Sequence, residues 1–172
     1  MCRATLAAAK TARLIAVLML ADLAFGADMP EVEIKQGSVR GFTTPVSDAF
    51  FAIPYAAPPV NDLRWRPPQK APVWSGVRAA DQRAPMCMQP VFPGVDAPED
   101  LLPTSEDCLY LNVWRPQGTA ADAELPVMFW IHGGSHIFGA GSLPRFDGDH
   151  FTERDVVLVT INYRLGALGA FT

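Results

Sequence analysis

The sequence holds no apolar run near the ~20 residues that a helix needs to cross a bilayer, so no segment of it reads as a membrane span. It is also poor in basic charge. Against 18 Asp and Glu stand 14 Lys and Arg, a net charge of −4, which gives no reason to expect nucleic acid or an anionic membrane as partner. There are no repeats, no low-complexity tracts and no linker that would separate two domains. Nowhere does Gly-x-Ser-x-Gly occur, the strand-to-helix elbow that presents a serine nucleophile. What the chain has in quantity is apolar: 49% of its residues are hydrophobic, the composition of a globular protein.

The first residues differ from the rest. Arg3, Lys10 and Arg13 precede the apolar run from Leu14 to Ala21, and Ala24, Phe25 and Gly26 follow with small residues where a signal peptidase reads. Residues 1–26 are therefore read as a signal peptide and 27–172 as the mature part, secreted or periplasmic. The run is too short for an anchor and Asp22 closes it, while Cys2 lies ahead of it, the wrong side for a lipoprotein. Without the leader, Cys87 and Cys108 remain. An even pair in an export context is either a disulfide or two buried thiols. As a disulfide it would contribute about 3 kcal/mol by loop closure. Between the two lie Pro90, Pro93, Gly94, Pro98 and Pro103, which oppose a helix there.

Periodicity sets out the elements. Val32 to Phe42 alternates apolar and polar around Gln36-Gly37 and predicts an antiparallel hairpin. Leu109 to Trp114 alternates again, as a strand with one covered face does. Val127 to Ile131 is continuously apolar between Pro126 and the glycines, the pattern of a strand buried on both faces in a mostly parallel sheet, and Val156 to Asn162 reads as a second central strand. Residues 115–125 read as a surface loop, and 142–155 as a solvated connection with one helical turn. The fold class is α/β: a small antiparallel hairpin leading into a mostly parallel central sheet. Central strands need neighbours on both sides, so apolar edges are expected to lie exposed wherever residues 1–172 do not supply them.

After Ile131 comes His132-Gly133-Gly134-Ser135-His136-Ile137-Phe138-Gly139-Ala140-Gly141-Ser142. Backbone N–H groups can converge on a developing oxyanion only where side chains do not obstruct the approach, and glycine both clears the space and permits positive φ. A turn of this type after a buried strand supplies such donors in lipases and esterases. The competing reading is a glycine-rich connection without chemistry, ordinary for a bare Gly-Gly. His132 and His136 stand four apart, a metal-ligand spacing on a helix, but Gly133 and Gly134 oppose that helix, so no metal is expected. Ser135 as nucleophile with His136 as base is set aside, because adjacent residues do not aim their side chains at one another.

Four ordered blocks carry a resemblance that covers nearly the whole mature chain. They are Phe51-Ala-Ile-Pro-Tyr-Ala-Ala-Pro-Pro-Val60, continuing through Leu63-Arg-Trp-Arg-Pro-Pro68 and Trp74-Ser-Gly-Val77; Ser105-Glu-Asp-Cys-Leu-Tyr-Leu-Asn-Val-Trp114; the His132 turn; and Val156 to Phe171 with Asn162-Tyr-Arg-Leu-Gly166. Together they resemble the type-B carboxylesterase and cholinesterase family of α/β-hydrolases, specifically its amino-terminal part. The resemblance implies a serine hydrolase of small-molecule carboxylic esters that uses no cofactor. It implies oxyanion donors at the amides of Gly134 and Ser135, with Gly133 supporting the turn, although Ser135 replaces the family's usual third small residue and His136 its usual phenylalanine. A disulfide between Cys87 and Cys108 and a structural ion pair between Arg64 and Glu106 are implied too; the residues themselves make Arg164 a buried structural partner rather than a substrate clamp, and His132 a brace for the turn. Choline-ester hydrolases of the family carry a tryptophan in the disulfide loop, where this chain offers only Phe92, so a general carboxylesterase is the preferred reading. The nucleophile, acid and base are absent from residues 1–172. The chain is thus read as an incomplete amino-terminal fragment, inactive alone, whose central strands expose apolar edges. The alternative is a catalytically inactive relative that serves binding or adhesion, and a downstream Gly-x-Ser-x-Gly separates the two.

Overall fold

The computed structural model describes residues 29–90 and 102–170. The leader and Phe92 lie outside them. Strand β1 (Glu31–Ile34) pairs antiparallel with β2 (Gly37–Arg40), Ile34 opposite Gly37. The two linking residues are therefore Lys35 and Gln36, one position before the expected centre. Trp74 lies on Gly37, where a Cβ would stand 2.6 Å from the indole nitrogen. That indole donates to the carbonyl of Ser38 (2.9 Å) and the Trp74 amide to that of Gln36 (2.8 Å).

The larger sheet runs in the order β3 (Phe42–Thr43), β4 (Ser47–Pro54), β8 (Tyr110–Pro116), β10 (Val157–Ile161), β9 (Val127–Ile131). A third strand, β5 (Val77–Ala79), joins β2 in the smaller sheet, and β6 (Met86–Cys87) pairs with β7 (Thr104–Ser105). The expectation of a mostly parallel sheet is corrected over the described residues: β9 and β10 pair in parallel, while β3–β4, β4–β8 and β8–β10 are antiparallel. Connection length accounts for the extremes. The short turn between β3 and β4 allows only reversal, whereas residues 132–156 are long enough for the crossover that a parallel pair needs. That crossover holds a 3-10 turn at Pro144–Phe146 and one helical turn, α1 (Asp149–Thr152); α2 (Gly166–Ala170) follows β10.

Strand β8 is covered on both faces, not on one. Leu111 and Val113 pack with Val39, Phe50, Ile53 and Ala80 between the two sheets. On the opposite face Trp114, fully buried, meets Ala49, Phe51 and Leu158. Gly148, just before α1, lies so close to Trp114 that a Cβ would stand 2.5 Å from the indole. The interior position expected for the Val156 strand is the observed one, since β10 sits between β8 and β9. Val127 to Ile131 presents the exposed apolar edge expected of it within residues 1–172. Among the described residues β9 has one neighbour, β10, and Val127, Met128, Phe129 and Ile131 are 62%, 46%, 53% and 59% exposed. Only Trp130 finds substantial cover, against Phe146 with ring centroids 4.3 Å apart.

Candidate functional site

Where β9 ends, the backbone turns through a run of positive φ values: +114° at Gly134, +53° at Ser135 and +60° at His136, then +109° at Gly139. For Ser135 and His136 this is the left-handed region, which costs an L-residue about 1–2 kcal/mol. Such strain persists only where neighbours impose it. Here the amides of Ile137 and Phe138 both donate to the carbonyl of Gly134, at 2.9 and 3.2 Å, winding the segment into one tight turn. A Cβ at Gly134 would overlap the carbonyl of Phe138, so only glycine fits. The amides of Gly133, Gly134 and Ser135 have no acceptor among the described residues. Consecutive unpaired N–H groups in a turn of this kind form a concave site for an anion or a partial negative charge.

The near leg of the turn is fixed by His132. It is 4% exposed, and its ring stacks on Tyr163 with centroids 4.3 Å apart and an angle of 16°. The Tyr163 hydroxyl donates to the His132 carbonyl (2.8 Å). Nδ1 lies 2.8 Å from the Gly133 carbonyl, which can only accept, so that nitrogen carries the proton and Nε2 is left as a buried acceptor without a partner among the described residues. Burial holds the imidazole below its ordinary pKa, partly offset by the bond to Gly133. Neutral and stacked, His132 is a brace. His136 is exposed, its ring 6.2 Å from Tyr163, and its carbonyl accepts from the Gly166 amide at 2.7 Å. No hydrogen bond joins the side chains of Ser135 and His136, and no group of three or more His, Cys, Asp or Glu among the described residues is arranged to hold a metal.

An open concavity of about 410 Å³ lies against the turn, lined by Ile131, His132, Gly133, Ser135, His136 and Tyr163 among others. Behind it, Asn162 of the segment after β10 is 1% exposed and fully engaged. Its Oδ1 accepts from the amides of Gly141 (2.8 Å) and Ser142 (3.3 Å), and its Nδ2 donates to the Pro85 carbonyl (3.0 Å) and to the Ser142 hydroxyl (3.3 Å). Asn112 on β8 and Thr160 on β10 both donate to the Gly141 carbonyl, at 3.2 and 2.8 Å. Sequence reasoning did not single out Asn162, Asn112, Tyr163 or Gly139 for the site. The signal available for Asn162 and Tyr163 was the Asn162-Tyr-Arg motif itself.

The other residues singled out lie away from the turn. Cys87 and Cys108 form the expected disulfide, with Cα atoms 5.0 Å apart and both residues buried. Arg64 donates from Nε to Glu106 Oε2 at 2.5 Å and from Nη2 to Oε1 at 2.7 Å, a bidentate pair beside that disulfide. The hydrogen bonds from Arg64 hold the Glu106 carboxyl below the usual carboxylate range. Arg164 is half-buried and donates to the Arg66 carbonyl (3.0 Å).

Residues 28–172 match the family model described as "Carboxylesterase family". Among curated relatives, fumonisin B1 esterase of Sphingopyxis macrogoltabida is 44% identical over 137 residues, which cover 78% of this chain and 24% of that protein. Acetylcholinesterase of Gallus gallus is 43% identical over 154 residues, 81% of this chain and 20% of the relative. Among solved structures, PNB esterase aligns with a TM-score of 0.73 at 40% identity, covering 82% of this chain and 28% of that one. The carboxylesterase EST55 of Geobacillus stearothermophilus gives 0.70 at 43%, with coverages of 80% and 27%. The chain thus spans about a quarter of the length of the proteins it matches.

Proposed function

Because the chain belongs to the carboxylesterase family, we propose that its glycine turn is the oxyanion-binding part of a serine hydrolase acting on uncharged carboxylic esters. The observation that carries this reading is the set of amides at Gly133, Gly134 and Ser135 with no acceptor among the described residues, beside an open concavity. When a nucleophile adds to an ester carbonyl, negative charge develops on the carbonyl oxygen. Amides of Gly134 and Ser135 already in place receive that charge without reorganisation, and each such donor is worth about 10²–10³ in kcat. Gly133 leaves the approach open, and neutral His132 keeps the near leg in place without adding a competing charge.

A serine, an acid and a histidine complete the chemistry in this reading, with the serine on a Gly-x-Ser-x-Gly elbow encoded beyond Thr172. The disulfide supports export, since such bonds persist in oxidising compartments, and residues 1–26 act as the leader. The test is to read the gene past the codon for Thr172 and to assay the encoded protein on an uncharged nitrophenyl ester. A frame that enters an elbow, with hydrolysis abolished when the elbow serine is replaced by alanine, is the expected result. A frame that continues through the family's length without that serine, or a protein that leaves the ester intact, refutes it.

A further inference from the structure

The far leg of the turn is held by a strap from a distant part of the sequence. Arg83 donates from Nη1 to the Ser142 carbonyl (3.1 Å), the Pro85 carbonyl accepts from Asn162 (3.0 Å), and Met86 packs on Ala140 and Leu143. The strap ends on Gln89. Its Oε1 accepts from the Gly139 amide (2.7 Å), while its Nε2 donates to the carbonyls of Gly139 (2.9 Å) and Cys87 (3.0 Å). One carboxamide therefore satisfies both backbone groups of a glycine 50 residues away. Gly139 in turn abuts the near leg: a Cβ on it would stand 2.5 Å from His132 Nδ1 and 2.7 Å from the Gly133 carbonyl. Whatever fixes Gly139 fixes the base of the turn.

We propose that Gln89 is a positioning residue for the turn, carrying the constraint of the Cys87–Cys108 disulfide into Gly139 and so into the Gly133–Ser135 amides. Gln89 lies two positions after Cys87, whose own carbonyl holds the Gln89 carboxamide in its working orientation. The disulfide anchors the strap to the start of β8, which is itself locked into the sheet interior. Cutting either link frees Gly139, while Gly141 and Ser142 stay held by Asn162, Asn112 and Thr160. The catalytic consequence rests on the oxyanion reading above; the effect on the backbone does not.

The experiment compares wild type, Gln89→Ala, Gln89→Glu and the double replacement Cys87→Ser with Cys108→Ser in the full-length protein. Hydrogen exchange at the bonded amides of the turn, Ile137, Phe138, Gly139 and Gly141, is read against that of β8 and β10. Gln89→Glu keeps the size and the acceptor but loses the donor, and so decides the matter should the alanine variant not fold. In the Gln89 variants the turn should exchange at least about tenfold faster with β8 and β10 unchanged; the cysteine variant loses global stability as well, so its reading is that adding Gln89→Ala changes exchange in the turn little more, as for links in one chain. Ester hydrolysis should lose about tenfold in kcat with KM nearly constant, because displaced donors weaken the transition state more than substrate binding. Unchanged exchange in the turn overturns the proposal, as does faster exchange with kcat intact. A wild-type protein that hydrolyses no ester removes the proposed function, yet the exchange data still decide whether Gln89 holds the turn.

Discussion

Gly139→Ala tests the packing at the base of the turn, and its size follows from two separable effects. The backbone there has φ +109°, which an L-residue adopts only at a cost of about 1–3 kcal/mol. The new methyl would also stand 2.5 Å from His132 Nδ1 and 2.7 Å from the Gly133 carbonyl. His132 cannot yield easily, since Tyr163 stacks on its ring, and overpacking of this kind costs about 1–3 kcal/mol more. Together they amount to about 4 kcal/mol, a large part of a typical domain's stability. Gly118→Ala isolates the first effect. Gly118 also has positive φ, +71°, but no atom within 4 Å would meet its Cβ, so about 1 kcal/mol is expected. Urea unfolding followed by tryptophan fluorescence measures both. With a slope of about 2 kcal/mol per molar, the two midpoints should differ by about 1.5 M at unchanged slope. Midpoints within about 0.5 M of one another would refute the close approach of Gly139 to His132.

Replacing both Cys87 and Cys108 by serine should lower stability by about 3 kcal/mol in the same assay, and a loss below about 1 kcal/mol would contradict the loop-closure argument. His132 predicts a pH dependence. Its folded pKa lies below the unfolded value of about 6.5, so the unfolded state takes up more protons as pH falls; stability present above about 6.5 is lost on acidification toward the folded pKa. Unfolding midpoints taken from pH 8 to pH 5 should show that loss, and His132→Asn should flatten it; an identical slope in the variant contradicts the assignment. Asn162→Ala strands the Gly141 amide and the Pro85 carbonyl in a buried site and should cost about 3 kcal/mol, with Asn162→Asp no milder at neutral pH because it loses the donors and buries a charge. A calorimetric melt of each variant checks the order, and a harmless Asn162→Asp would contradict it.

How far the sequence could be read depended on the range of the interaction concerned. The turn was legible because its cause is local: Gly133 and Gly134 follow an apolar strand, and positive φ is a property of single residues. The hairpin was legible from the period of Val32, Ile34 and Val39, which do share one packed cluster. Its centre lies one residue before the expected one, at Lys35-Gln36, and Trp74, far along the chain, packs on Gly37. Gln89 had no local signature at all. A glutamine two positions after a cysteine has no periodicity to betray a partner 50 residues on, and its role exists only once the strap and the turn are side by side.

Strand β9 shows the complementary case, since the apolar edge expected of it is the one observed. Five consecutive apolar residues, Val127 to Ile131, state that the segment is extended and that its faces favour cover. They do not state which strands stand beside it. Strand β10, with much the same composition, lies between β8 and β9 and buries Leu158 and Thr160, whereas β9, among the described residues, has β10 on one side and exposes four of its five side chains above 40%. Apolar content therefore fixes how much a strand gains when covered, about 25 cal/mol for each Å² removed from water. Neighbour identity and strand direction come from how the connections return, and in this sheet the long 132–156 crossover sets β9 parallel to β10 while the turn that it begins with carries the candidate site.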